Sequence, residues 1–143
     1  MVSKWQPVAE RVLIAVVGAH LDGQPLNHQL TGRGGQLTER TATAPYYRMF
    51  ALDTQPPKPG LVRVETQDPS GRAMEVEVWA LEPAAFATFV DAIPAPLVIG
   101  RVMLADGRNV AGFLCEPMAI DGAIDISSFG GWRAYLAATA TPP

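Results

Sequence analysis

Two histidines, His20 and His28, both fall in the segment VVGAHLDGQPLNHQL at residues 16–30, and the chain carries no others. Imidazole is the side chain that transfers protons most readily near neutrality, so a histidine just past the end of an apolar run is a candidate acid, base or anion ligand. An apolar strand that stops at Gly18 and turns leaves successive backbone N–H groups from Gly18, Ala19 and Leu21 free to converge on a carboxylate or a developing oxyanion. His20 would stand beside that nest, with Asn27 adding a side-chain amide. The same residues also fit a plain turn whose histidine bonds to a neighbouring carbonyl.

Several other chemistries are excluded by inventory. Two histidines and one cysteine cannot build a soft-ligand zinc site, and no HExxH pattern joins His20 to His28, so no metal is expected. The glycines at 32, 34 and 35 follow a polar stretch and lack the strand before and helix after that a dinucleotide site needs. No G-x-S-x-G elbow is present, and Cys115 in GFLCEP sits in an apolar setting that suits an inert thiol. Cations for an anion site come from three places. Alternation in YYR puts Tyr46 and Arg48 on one face of a strand and Tyr47 on the other, so only one of these sets can line a cavity. Lys58 in PPKPG is held by three prolines, and Arg63 sits in LVRVE.

The elements that must position these residues are short. The 143 residues include 13 Gly and 13 Pro, punctuation that favours strands and turns over a helical bundle. Residues 11–17 (RVLIAVV) read as a central strand buried on both faces, and residues 25–30 as a short helix that tolerates Pro25 in its first turn. Residues 37–44, 46–52 and 61–65 read as strands, with residues 55–60 as a stiff loop. MEVEVWAL at 74–81 alternates apolar residues with Glu75 and Glu77, which places both glutamates on a solvated face. Phe86, Phe89 and Val90 recur at helical spacing after Pro83, and Pro94 blocks continuation. Residues 98–104 and 110–115 flank a turn and form a hairpin. Ser127 or Ser128 is placed to cap a last helix through Trp132, Tyr135 and Leu136. These elements make an α+β domain.

Hydrophobic residues at 48% and charged residues at 17% fit one globular domain over residues 1–143, with a core from about 8 to 137 and a flexible tail at 138–143. A formal charge of −3 supplies no field for nucleic acid, and no apolar run is long enough to span a bilayer. A lone cysteine and a first stretch, Met-Val-Ser-Lys-Trp, without a secretory pattern predict a soluble cytoplasmic protein. Trp5, Trp132 and Tyr135 are the aromatics that could anchor a partner, although core burial is their commoner fate. A homodimer is compatible with this composition.

The segments AVVGAHLDGQPLNHQL, TAPYYRMFAL, PPKPGLVRV, EVEVWAL, FVDAIPAPLVIG, GFLCEP and FGGWRAYLA resemble, in order, the C-terminal domain of allophanate hydrolase, over roughly residues 11–137. VVGAHLDGQPLN also resembles the strand–loop signature of the wider γ-glutamylcyclotransferase-like superfamily. The resemblance implies a mixed β-barrel or sheet with two or three flanking helices and a small-ligand cavity opening at residues 17–21. It implies that the chain lacks the amidase half that deaminates allophanate, needs no cofactor, and speeds decarboxylation of N-carboxycarbamate or a related urea-pathway intermediate. A small anionic carboxylated substrate is the expected partner. The alternatives are an accessory or assembly subunit of a separate amidase, or a γ-glutamyl cyclotransferase-like enzyme. Against the last, the glutamate that cyclotransferases carry after the amphipathic helix corresponds here to Pro94, which moves no proton.

Overall fold

In the computed structural model, which describes residues 10–140, the strand order places the apolar run near the N-terminus at the centre. Strand β1 (Val12–Val16) is flanked by β5 (Glu75–Leu81), antiparallel, and by β7 (Asn109–Cys115), parallel. β2 (Gln36–Ala42) and β6 (Leu97–Met103) form the two edges of this five-stranded sheet, ordered β2-β5-β1-β7-β6. A second sheet is ordered β4-β3-β8 from β4 (Lys58–Arg63), β3 (Tyr47–Leu52) and β8 (Ile124–Asp125). The helices are α1 (His28–Thr31), α2 (Pro83–Asp91) and α3 (Trp132–Thr139), which makes an α+β fold with a mixed sheet.

No closed barrel forms. Among the described residues the two edges of the large sheet meet only at one bridge, Thr43 with Leu104, just past the ends of β2 and β6. Continuous pairing would need the edge strands to run side by side, and instead only Ala44 N–H to Met103 C=O and Ala105 N–H to Ala42 C=O link them, each 2.9 Å. The side left open is covered by α2 and the small sheet. Phe89 from α2, Met49 and Leu61 from the small sheet, and Ile14, Val16 and Val78 from the large one share a single core.

Sequence and structure part company in three elements. Residues 58–60, expected in a loop, begin β4, with Pro59 opposite Ala51. β4 is an edge strand, and an edge tolerates a proline because no further strand needs its N–H. The expected helix cap at Ser127 is absent. Its Oγ instead accepts the Met49 N–H at 2.8 Å, within a 3-10 turn at Ser127–Phe129, and α3 starts only after Gly131. α3 also continues to Thr139, so the tail expected from residue 138 is still helical there.

The third departure concerns β5. Its alternation reads as one wet face, yet every residue from Val76 to Leu81 is buried. The start of α3 lies over the supposedly solvated side: a Cβ on Gly131 would come within 2.9 Å of the Glu75 Cβ. Glu77 is thereby fully buried, while Glu75 stays half-exposed.

Candidate functional site

The chain leaves β1 at Val16 and turns through Gly18 to Leu21 against β4. Gly18 is obligatory for this approach, since a Cβ there would lie 2.2 Å from the Pro59 Cδ. Leu21 N–H donates to the Gly18 carbonyl at 3.0 Å, Leu26 N–H to the Ala19 carbonyl at 2.8 Å, and Asn27 Nδ2 to the His20 carbonyl at 2.8 Å. All the carbonyls of the turn are therefore held from behind. The N–H groups of Gly18, Ala19 and His20 have no partner among the described residues. Such a run of free donors is an anion-binding arrangement.

His20 is 5% exposed, stacked on Phe113 with ring centroids 4.8 Å apart and meeting Phe89 edge-on at 5.2 Å. Its Nε2 lies 2.9 Å from Gln29 Oε1. Burial against these rings lowers the imidazole pKa to about 4, with the nearby Lys58 and His28 adding to the fall against the Gln29 hydrogen bond. At neutral pH His20 is consequently uncharged. The positive charge beside it belongs to Lys58, itself 5% exposed and without a carboxylate within ion-pair distance among the described residues.

His20 and Lys58 line a cavity of about 200 Å³ together with Gln29, Gln55, Pro94 and Leu97, among others. They also line the narrow cleft next to it, where Gly18, Ala19, Pro59 and Phe113 complete the wall. Ala92, Ile93 and Pro94 close one side of the larger space with apolar surface. This wall carries no carboxylate.

Of the residues singled out in the sequence, Gly18, Ala19, His20 and Lys58 come together. Asn27 supports the turn rather than facing the cavity, and Leu21 is a core side chain whose N–H is spent within the turn. Arg48 does not reach the cavity: its guanidinium pairs with Asp125 and donates to the Ser70 carbonyl. Tyr46 is half-buried outside it, and Arg63 lines an open groove with Glu65 and Asp68. Strand alternation alone does not say which face meets the site, and Arg48 is instead taken up by Asp125 of β8, the strand paired beside β3. Tyr47, on the other face, is fully buried, and its hydroxyl accepts the Met103 N–H at 2.9 Å.

Gln29 was missed, and Glu77 was placed on the wrong face. Gln29 reads as an ordinary polar residue of a short helix, and only its distance to His20 marks it. Glu77 Oε1 accepts the N–H of Asp22 at 2.8 Å and the indole N–H of Trp79 at 3.1 Å, while its Oε2 accepts from Arg133 at 2.8 Å and Arg40 at 3.2 Å. These donors hold its carboxyl below the ordinary range despite burial. Among the described residues no three His, Cys, Asp or Glu side chains are grouped to hold a metal. Trp132 is buried and Tyr135 packs against it, whereas Trp5 lies outside the described residues. No helix of the described residues is long and apolar enough to cross a membrane.

Residues 12–137 match the model of the allophanate hydrolase C-terminal domain. Urea amidolyase of Saccharomyces cerevisiae is 41% identical over 129 residues, a match that takes in 87% of this chain but only 7% of that protein's length. A uropathogenic E. coli-specific protein of solved structure is 34% identical, with a TM-score of 0.80, and the match covers 89% of this chain and 96% of that one. An aig2-like protein from Mus musculus shares the fold alone, at 14% identity and a TM-score of 0.56 over 78% of this chain and 83% of its own.

Proposed function

The chain belongs to the allophanate hydrolase C-terminal domain family, and on that premise we propose that it binds a small carboxylated urea derivative in the His20–Lys58 cavity and promotes decarboxylation of N-carboxycarbamate or a close relative. The observation that carries this reading is that a buried lysine and a neutral imidazole are shared by two adjoining, partly apolar spaces, the narrower of which is also lined by Gly18 and Ala19 of the turn with unpartnered N–H groups.

N-carboxycarbamate, a nitrogen bearing one hydrogen and two carboxylates, loses CO₂ from its nitrogen-protonated form. A proton from water adds to nitrogen, the C–N bond breaks, its electron pair stays on nitrogen, and carbamate and CO₂ result. Catalysis needs the remaining carboxylate held, the departing one kept out of water, and the protonated nitrogen stabilised. Lys58 with the N–H groups of Gly18, Ala19 and His20 meets the first need. Phe113, Leu97 and the Ile93–Pro94 wall meet the second. The uncharged His20 ring meets the third as a hydrogen-bond acceptor. The sequence leaves His20 as acid, base or anion ligand; its burial favours the acceptor role, and the positive charge is supplied by Lys58.

The test couples an amidase that generates N-carboxycarbamate to this protein and records CO₂ release. Release faster than the uncatalysed rate is expected. Equal rates with and without the protein would remove the decarboxylation reading and favour an accessory subunit of a separate amidase. That second reading has its own support in Met118 and Ile124, which are 61% and 68% exposed. Cyclotransferase activity is disfavoured by Pro94, since the wall where the superfamily's base would stand offers no group to move a proton.

A further inference from the structure

His20 has two ring nitrogens, and the protein treats them differently. Nε2 faces an amide oxygen, Gln29 Oε1, at 2.9 Å. With the Gln29 amide turned this way its oxygen only accepts, and the geometry gives this nitrogen the hydrogen of the neutral ring. Nδ1 then holds the lone pair. It has no hydrogen-bond partner among the described residues, yet no buried side-chain nitrogen or oxygen there is left both enclosed and unpaired. Nδ1 therefore borders open space, and the spaces that His20 lines are the two it shares with Lys58. Gln29 is itself placed by its backbone: its carbonyl accepts Arg33 Nη1 at 2.9 Å, and Arg33 Nε donates to Thr88 Oγ1 at 3.0 Å, tying α1 to α2.

We infer that Gln29 is a positioning residue that fixes His20 as the Nε2–H tautomer, and that the cavity thereby selects small dicarboxylates carrying an N–H donor between their carboxylates. This rests on the anion-binding reading of the cavity and deepens it. A lysine and free backbone N–H groups attract any carboxylate, so they set charge but not the atom in the middle. The Nδ1 lone pair supplies that discrimination: it accepts from a protonated nitrogen and repels an ether oxygen in the same place. Refusal of an analogue that lacks the matching donor is the stronger form of specificity, because a desolvated acceptor is left unpaired.

Iminodiacetate and diglycolate make the test, since they differ only in NH₂⁺ against O between two carboxymethyl arms. Diglycolate carries the greater negative charge, so Lys58 alone would favour it. Calorimetric titration of the intact protein should show iminodiacetate binding at least tenfold tighter, about 1.4 kcal/mol. ¹⁵N spectra of histidine-labelled protein should show His20 as a pure Nε2–H tautomer before ligand is added, with the Nδ1 signal moving on addition of iminodiacetate. Gln29→Leu should mix the tautomers and bring the affinity ratio within about threefold, whereas Gln29→Glu, which still accepts from Nε2–H, should keep the tautomer and leave iminodiacetate the better ligand, with diglycolate, the more highly charged, weakened the more. A His20 that carries its proton on Nδ1, equal affinities in the wild type, or an unchanged ratio in Gln29→Leu would overturn the inference. Because the tautomer is read without substrate, its failure is separable from a failure to release CO₂.

Discussion

Glu77 Oε1 accepts the backbone N–H of Asp22 at 2.8 Å, two residues beyond His20 in the chain. The carboxylate sits on the central part of β5, so the end of the His20 turn is pinned to the middle of the large sheet. Arg133 closes the arrangement from α3, donating both to Glu77 and to the Asp22 carbonyl at 2.7 Å. The candidate site thus depends on an ion cluster that does not line its cavity.

Glu77→Gln should destabilise the fold by about 3 kcal/mol, the lower end of the range for breaking a buried pair, because Arg40 and Arg133 both reach water. Urea unfolding measures this. A loss under about 0.5 kcal/mol would mean that the cluster behaves as an ordinary surface network.

Gly18→Ala places a methyl group 2.2 Å from Pro59 Cδ and 2.5 Å from its Cγ. The strain should cost about 1–3 kcal/mol and push the turn away from β4, with anion binding falling along with stability. Full retention of dicarboxylate affinity in a folded Gly18→Ala protein would show that the N–H groups of the turn do not hold the ligand.

For catalysis, Lys58→Met and His20→Gln should each lower CO₂ release by about a hundredfold or more, the usual scale for a group acting on the reacting atoms. His28→Ala should leave the rate within about twofold: His28 lies on the outer side of α1, its Nδ1 3.0 Å from the Pro25 carbonyl. A Lys58→Met protein as fast as wild type would exclude the amine from the reaction.

Stability should fall with acid over a window set by His20. Its folded pKa, about 4, lies below the ordinary imidazole value of 6.5, so the unfolded chain takes up a proton before the folded one does. Its contribution is complete above about pH 6.5 and is lost as the pH falls towards 4, amounting to about 3 kcal/mol. Glu77, also depressed, adds to the loss at lower pH, below the ordinary carboxylate range. Urea midpoints at pH 7.5 and pH 5 should differ clearly in wild type and much less in His20→Gln. Parallel pH profiles for the two proteins would contradict the burial of a neutral imidazole.

Local patterns determined a good part of this. The apolar run of β1, the amphipathic spacing of Phe86 and Phe89 in α2, and the hairpin of β6 and β7 with Gly107 at φ +91° all follow from period and turn chemistry. That the chain turns at residues 18–21 was equally legible, because glycine ends the apolar run there. Tertiary structure decided the rest. Whether Lys58 or Arg48 meets His20 depends on how the small sheet lies against the large one, and neither residue's own neighbours encode that. Gln29 gains its role from a single 2.9 Å contact across a turn. Glu77 follows the period of a solvated strand face, and it becomes a buried anion only because α3, far along the chain, packs over β5 and brings Arg133 with it. Period and composition report what a residue can do beside its sequence neighbours; burial and charge pairing are set by segments distant in sequence, and these fixed the ionisation of His20 and Glu77.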